Sequence, residues 1–319
     1  MQKDKTKKAS IIVPCFNVEK YLPIFFMSLY EQTYQNIELI LINDGSTDKT
    51  DKVINQNISM LRKKMEVQYI IQNNRGLGGA INTGLKKFTG DYLCWADPDD
   101  YLEPRSIEER VCYLEKNPDV GVVTTDAEIR ERSVDGNIRG YISDLFLHDN
   151  ENPEQFMLLL KAKSILCPGC HMIRTDAFLD VNPNRDIYEA RRGQNWQILL
   201  PVYYKYKRGF LDKPLYRYVI YSSSMSQGDD TVNKKILREI EHEEIVFNTL
   251  ERMNMTKKER KYYKKIFANL IKDNLFNIVV QNEMFIETLK CFIKLLGTEY
   301  MNKDKIVDLI VLIRKKLQK

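Results

Sequence analysis

Gly90-Asp91-Tyr92-Leu93-Cys94-Trp95-Ala96-Asp97-Pro98-Asp99-Asp100 is an apolar, aromatic-rich run that stops on three carboxylates in four residues. The run, residues 92–96, reads as a short buried strand. Its acidic end reads as a turn, since Asp and Pro are turn formers. Three like charges this close repel one another, so the cluster is costly unless a cation or hydrogen-bond donors offset it. Oxygen ligands suit Mg²⁺ or Mn²⁺, and such ions commonly bridge carboxylates to phosphates. A solvated acidic turn is the plainer alternative.

The same grammar extends outward. Residues 10–13, 37–42, 67–71 and 120–124 read as further strands. Residues 22–32, a segment ending near 64, residues 78–88 and residues 106–117 have helical spacing. Alternation over the first 126 residues predicts an α/β domain, a mostly parallel sheet flanked by helices on both faces. Ligands of such sheets sit beyond the carboxyl ends of the strands, near a switch in strand order. Polar groups follow four strands here: Phe16-Asn17, Asn43-Asp44, Asn73-Asn74-Arg75 and Asp97 to Asp100. Asp44 reads either as a helix cap or as an acceptor for a base N–H or a ribose hydroxyl. Arg75-Gly76-Leu77-Gly78-Gly79 lets backbone approach a ligand and offers a guanidinium to phosphate. Ile81 stands where the dinucleotide fingerprint needs its last glycine, which argues against a dehydrogenase. Cys15-Phe16-Asn17-Val18-Glu19 is not a glycine-rich basic loop, which argues against a nucleotidyltransferase.

Residues 127–230 are more irregular, with helical signals at 153–163 and 195–206 and a strand signal at 215–221. From 231 onward the pattern is helical, giving two expected domains, 1–230 and 231–319. The net charge of +5 is uneven: residues 231–319 hold 19 Lys and Arg against 12 Asp and Glu. That excess reads as a solvated helical face or as attraction to an anionic membrane surface. No recognition motif accompanies it, so nucleic acid is not an expected partner. Phe267, Leu270, Ile271, Leu275 and Ile278 recur at helical spacing and suit a helical subdomain or a homodimer seam. Six scattered cysteines form no disulfide framework and fit a reducing compartment. No apolar run approaches the roughly 18 residues of a membrane span. Pro14 and Asn17 break the only apolar stretch near the start, which argues against a signal peptide. A cytoplasmic location, with contact at the inner membrane face, is the expectation. Cys167-Pro168-Gly169-Cys170 has no second cysteine pair to complete a zinc site and reads as a buried turn.

Taken in order and spacing, residues 10–17, 39–48, 74–84 and 90–100 resemble family 2 glycosyltransferases with the GT-A fold, the bacterial polysaccharide-biosynthesis type. The close match spans about residues 9–126. The resemblance implies transfer of a sugar from a nucleotide-sugar, with UDP as the expected nucleotide, to a saccharide or lipid-linked acceptor, with inversion and with Mn²⁺ or Mg²⁺. It places Pro14, Cys15, Phe16 and Asn17 at the nucleobase, with Asp44 reading the base and Arg75 near the nucleotide. It places Asp97 at the ribose or the metal, Asp99 on the metal and Asp100 near the sugar.

Two departures follow. Where the family carries a Glu-Asp pair before a helix, this chain has Gln194 and Asn195, and neither accepts a proton near neutral pH. Glu189, with Asp186 behind it, is the best replacement base, the alternative being a solvated carboxylate beside Arg191 and Arg192, and Asn195 is expected to hydrogen-bond the acceptor. Met225, in Ser222-Ser223-Ser224-Met225-Ser226, stands where relatives often place a histidine, and it is a poor ligand for a hard cation. These departures leave a second reading open, a nucleotide-sugar-binding partner or regulator with little transferase activity.

Overall fold

The computed structural model describes residues 6–146, 154–221 and 231–317. The reading at 222–226 and the expected boundary at 230 lie outside the described residues. The chain divides into two compact units, one ending at Tyr221 and one following it.

In the first unit, β1 (Ala9–Cys15), β2 (Ile37–Asp44), β3 (Glu66–Gln72) and β4 (Tyr92–Trp95) are the parallel strands read from sequence. Every residue of β2 is buried, as a strand covered on both faces requires. Helices α1 (Leu22–Tyr30), α2 (Thr50–Leu61) and α3 (Gly76–Leu85) connect them. The chain continues through β5 (Tyr101–Leu102), α4 (Ser106–Lys116), β6 (Val120–Glu131), β7 (Ile138–Tyr141) and α5 (Gln155–Leu160). It closes with β8 (His171–Arg174), α6 (Thr175–Val181), α7 (Gln194–Lys205) and β9 (Lys207–Ile220). The sheet order is β3-β2-β1-β4-β8-β6-β9-β5, with β7 on β6. Pairing is parallel from β3 to β4 and between β6 and β9, and antiparallel elsewhere. The strand order reverses between β1 and β4, so a crevice opens there beyond their carboxyl ends.

The structure extends the sequence reading in three places. β6 runs seven residues past the expected end at 124, because β9 and β7 flank its second half. β9 starts at Lys207 rather than 215. β8 is only four residues long, and no local signal marks it; its partners come from β4 and β6.

At the amino ends of these strands the buried Glu38 ties three segments together. Its carboxylate accepts from the Ser10 hydroxyl (2.5 Å), the Gln68 amide (3.0 Å), and the Thr89 N–H and hydroxyl (each 2.8 Å). Four donors offset the cost of a buried charge.

The second unit is helical: α8 (Val232–Arg252), α9 (Lys257–Gln281), α10 (Phe285–Leu295) and α11 (Lys303–Leu317). A capping box starts α9, with the Glu259 N–H donating to the Thr256 hydroxyl and the Thr256 N–H to the Glu259 carboxylate. Consecutive helices pack on each other. Phe267 and Ile271 are buried, and Leu270, Leu275 and Ile278 half-buried, so this stripe packs within the unit. No described helix is long and apolar enough to cross a membrane.

Replacing Glu38 with Ala strands these donors. Urea unfolding is expected to show a loss of about 2–4 kcal/mol, with Glu38→Gln losing less.

Candidate functional site

The site is built where β1 and β4 end. Ile12 of β1 pairs with Trp95 of β4, and the Ala96 N–H donates to the Ile12 carbonyl at 3.1 Å. The next residues are Asp97, Pro98, Asp99 and Asp100. Ligand oxygens of the three aspartates lie within 4.8 Å of one another. Asp100 is buried; Asp97 and Asp99 are half-buried.

A second part of the chain fixes this cluster from behind. β5, immediately after the acidic turn, pairs antiparallel with β9, setting Leu102 against Tyr216. The Val219 N–H donates to Asp100 Oδ1 at 2.8 Å, and the Asp97 N–H to the Tyr216 hydroxyl at 3.3 Å. Tyr216 in turn packs on Gly169, where an added Cβ would come within 1.9 Å of its ring. That is what the Cys167–Cys170 turn does: its small residues leave room for Tyr216. Both thiols are free and buried.

Crowding and lost hydration act on the carboxylates in the same direction. Burial, then the neighbouring Asp99, raises the Asp97 carboxyl to about 7. Burial raises Asp99 too, and burial with both neighbours pushes Asp100 well up. Among the described residues, Asp100 Oδ2 has no hydrogen-bond partner in range. A set of crowded oxygens, one of them unmatched, fits a hard divalent cation with open positions.

The residues expected at the nucleotide follow β1 and β2 and begin α3. Asp44 ends β2, and its Oδ1 accepts from the Gln72 amide (2.7 Å) and the Arg75 N–H (2.9 Å), tying β3 and the start of α3 to it. Phe16 is 49% exposed, so its ring face is available, and Pro14 is half-buried. Cys15 is fully buried, and its thiol donates to the Val13 carbonyl at 3.6 Å, so it backs the loop from the core. Asn17 adopts a left-handed conformation, φ 54°, and its side-chain oxygen accepts the Thr47 N–H at 2.8 Å. Its visible role is to shape the loop after β2.

Glu189 and Arg75 form an ion pair, both about half exposed. The Glu189 segment is held from both sides. The Asn82 side chain on α3 exchanges two hydrogen bonds with the Ile187 backbone, and the Gln197 side chain on α7 does the same with Tyr188. The Gly78 N–H donates to the Ala190 carbonyl at 2.9 Å, and a Cβ on Gly78 would lie 2.6 Å from the Ala190 nitrogen. Thus Gly78 serves close approach of this segment, while Gly79 leaves room for the Arg75 side chain. Asn195 Oδ1 accepts the Trp95 indole N–H at 2.7 Å, and its amide donates to the Leu166 carbonyl. Its side chain braces β4 against α7.

Tyr216, Val219, Asn82 and Gln197 carried no sequence signal of their own. The nearest clue was the aromatic strand at 215–221. His171 is buried and stacks on Trp95, with ring centroids 5.8 Å apart; burial and two arginines lower its pKa to about 3, so it stays neutral.

The model of the family described as Glycosyl transferase family 2 matches residues 10–181. The chain belongs to this family. GlyA of Streptococcus pneumoniae is 41% identical over 101 residues, 32% of this chain and 14% of that protein. EpsE of Bacillus subtilis is 29% identical over 213 residues, 66% of this chain and 72% of its own. The chain spans less than half the length of GlyA and of a Haemophilus influenzae relative, of which it covers 42%. S. aureus TarS 1–349 superposes with a TM-score of 0.59 at 20% identity, covering 92% of this chain and 82% of that one. The family 2 chain thus has the GT-A fold.

An aspartate whose folded pKa is raised binds its proton more tightly folded than unfolded. Its cost to stability is absent below about pH 4 and full above about pH 7. In EDTA, Asp97→Asn is therefore expected to be more stable than the parent at pH 7.5, with the gap closing toward pH 4.5. Mn²⁺ is expected to shrink the gap at pH 7.5. A gap in urea midpoint that ignores pH would refute this.

Proposed function

We propose that this chain transfers a sugar from a UDP-sugar to a hydroxyl of a saccharide or lipid-linked acceptor, with inversion at the anomeric carbon. The observation that carries the reading is the crowded Asp97-Asp99-Asp100 cluster at the β1/β4 switch point, taken with Asp44 at the end of β2 and the Arg75–Glu189 pair. TarS 1–349 has been crystallised with UDP and with UDP-GlcNAc, and a Pyrobaculum calidifontis mannosyltransferase of TM-score 0.57 with GDP-Man and Mn²⁺. These support a nucleoside-diphosphate sugar and a divalent cation.

Phe16 and Pro14 flank the base, Cys15 backs them from the core, and Asp44 accepts the base N–H while Gln72 and the Arg75 amide hold it. Asn17 keeps the loop beyond β2 in place. Asp97 and Asp99 hold Mn²⁺ or Mg²⁺, with Asp97 also near the ribose and Asp100 bordering the sugar. Held there, such an ion would supply positive charge to offset that of a departing diphosphate. Arg75 meets a phosphate oxygen, which competes with Glu189 for its guanidinium. Glu189, once released, takes the proton of the attacking acceptor hydroxyl as general base. Asn195 braces the acceptor side through Trp95.

One observation favours a second reading. Asn195 stands where a proton acceptor is expected and is occupied by Trp95 and Leu166. In that reading the chain binds a sugar nucleotide with little turnover, as a partner or regulator.

UDP release from a panel of UDP-sugars with Mn²⁺ separates the two. Under the transfer reading, Asp99→Ala abolishes turnover and weakens UDP binding. Glu189→Gln retains UDP binding while kcat falls about 10²–10⁴-fold. Unchanged turnover in Glu189→Gln removes that residue as the base. UDP-sugar binding without turnover for any acceptor class supports the second reading.

A further inference from the structure

The last helix turns an apolar and basic face outward. On α11, Ile306, Val307, Ile310, Val311 and Leu317 are exposed, from 43% to 81%. At 100° per residue these five fall with the exposed Lys303 and Arg314 in one arc of about 140°. The nearest acids, Asp304 and Asp308, lie outside that arc. The composition recurs on α10, which packs against α11: Ile286, Lys290, Ile293 and Lys294 share an exposed arc without a carboxylate.

The unit's own packing sets this orientation. On the inner face of α11, the Lys305 ammonium lies 2.7 Å from the Asp273 carboxylate and over the Phe276 ring, and Leu312 is buried. On α10, Thr288 and Leu295 are fully buried. Isolated exposed aliphatics are ordinary, but a contiguous patch marks an interaction surface.

Charge selects the occupant. A second copy packed face to face sets Lys303 and Arg314 against the same residues of its mate, a like-charge contact inside an apolar interface. An anionic lipid surface meets both halves of the pattern. Aliphatic side chains enter the headgroup–acyl boundary, while Lys and Arg reach up to phosphates. The surrounding chain agrees, with 19 basic against 12 acidic residues over 231–319.

We propose that the outer faces of α11 and α10 dock this protein on an anionic membrane surface. Flotation of the full chain with vesicles tests this without reference to catalysis. Binding is expected to vesicles containing phosphatidylglycerol and not to pure phosphatidylcholine, and to weaken with salt. Lys303→Glu combined with Arg314→Glu is expected to lower the partition coefficient about tenfold or more. Ile306→Ser combined with Ile310→Ser is expected to lower it without changing charge. Unchanged circular dichroism and urea midpoint confirm that both variants fold. No flotation with anionic vesicles, or flotation that both variants retain, overturns the proposal. So does a dimer in light scattering that Ile310→Ser splits, which assigns the face to a second copy.

Discussion

Three carboxylates held within 4.8 Å of one another at the end of β4 set the requirement that the rest of the site meets. Asp97, Asp99 and Asp100 repel and are partly stripped of water, and each is pushed toward its neutral form. The fold keeps them together by spending backbone N–H groups and a buried tyrosine on them. The Val219 amide and Tyr216 come from β9, more than a hundred residues away in sequence. The arrangement is costly for an empty protein and favourable for one that binds a hard cation and phosphates.

The other half of the crevice follows from the strand order. Because β1 lies between β2 and β4, the loops after these strands open toward one another. Asp44 at the end of β2 anchors the start of α3 through Arg75, and the Asn82 and Gln197 amides hold the Glu189 segment against α3 and α7. The acids thus follow β4, while the start of α3 carries the Arg75–Glu189 ion pair.

Local spacing made much of this readable in sequence. Parallel strands buried on both faces leave continuous apolar runs, so β1, β2 and β4 stood out, while the half-exposed edge strand β3 showed through its apolar residues at 67–71. The acidic turn stood out because Asp97, Asp99 and Asp100 are neighbours. What was hidden rests on distant pairing. β8 takes its partners from β4 and β6, and Tyr216 reaches the acids only through the β5–β9 pairing. The Arg75–Glu189 pair joins residues 114 positions apart. Asn195 looked like a substitute at a catalytic position, yet its side chain is engaged by Trp95 and Leu166. The glycines at 78 and 169 read as turn or ligand-approach residues; their role is to admit the Ala190 backbone and the Tyr216 ring.

Electron paramagnetic resonance of Mn²⁺ titrated with the protein, with and without UDP, tests most directly whether the acidic cluster shares a cation with a diphosphate. Loss of the free Mn²⁺ signal, strengthened by UDP and absent in Asp97→Asn with Asp99→Asn, is the predicted result. A free-ion signal unchanged by the parent protein plus UDP, or reduced equally by the double variant, would contradict it.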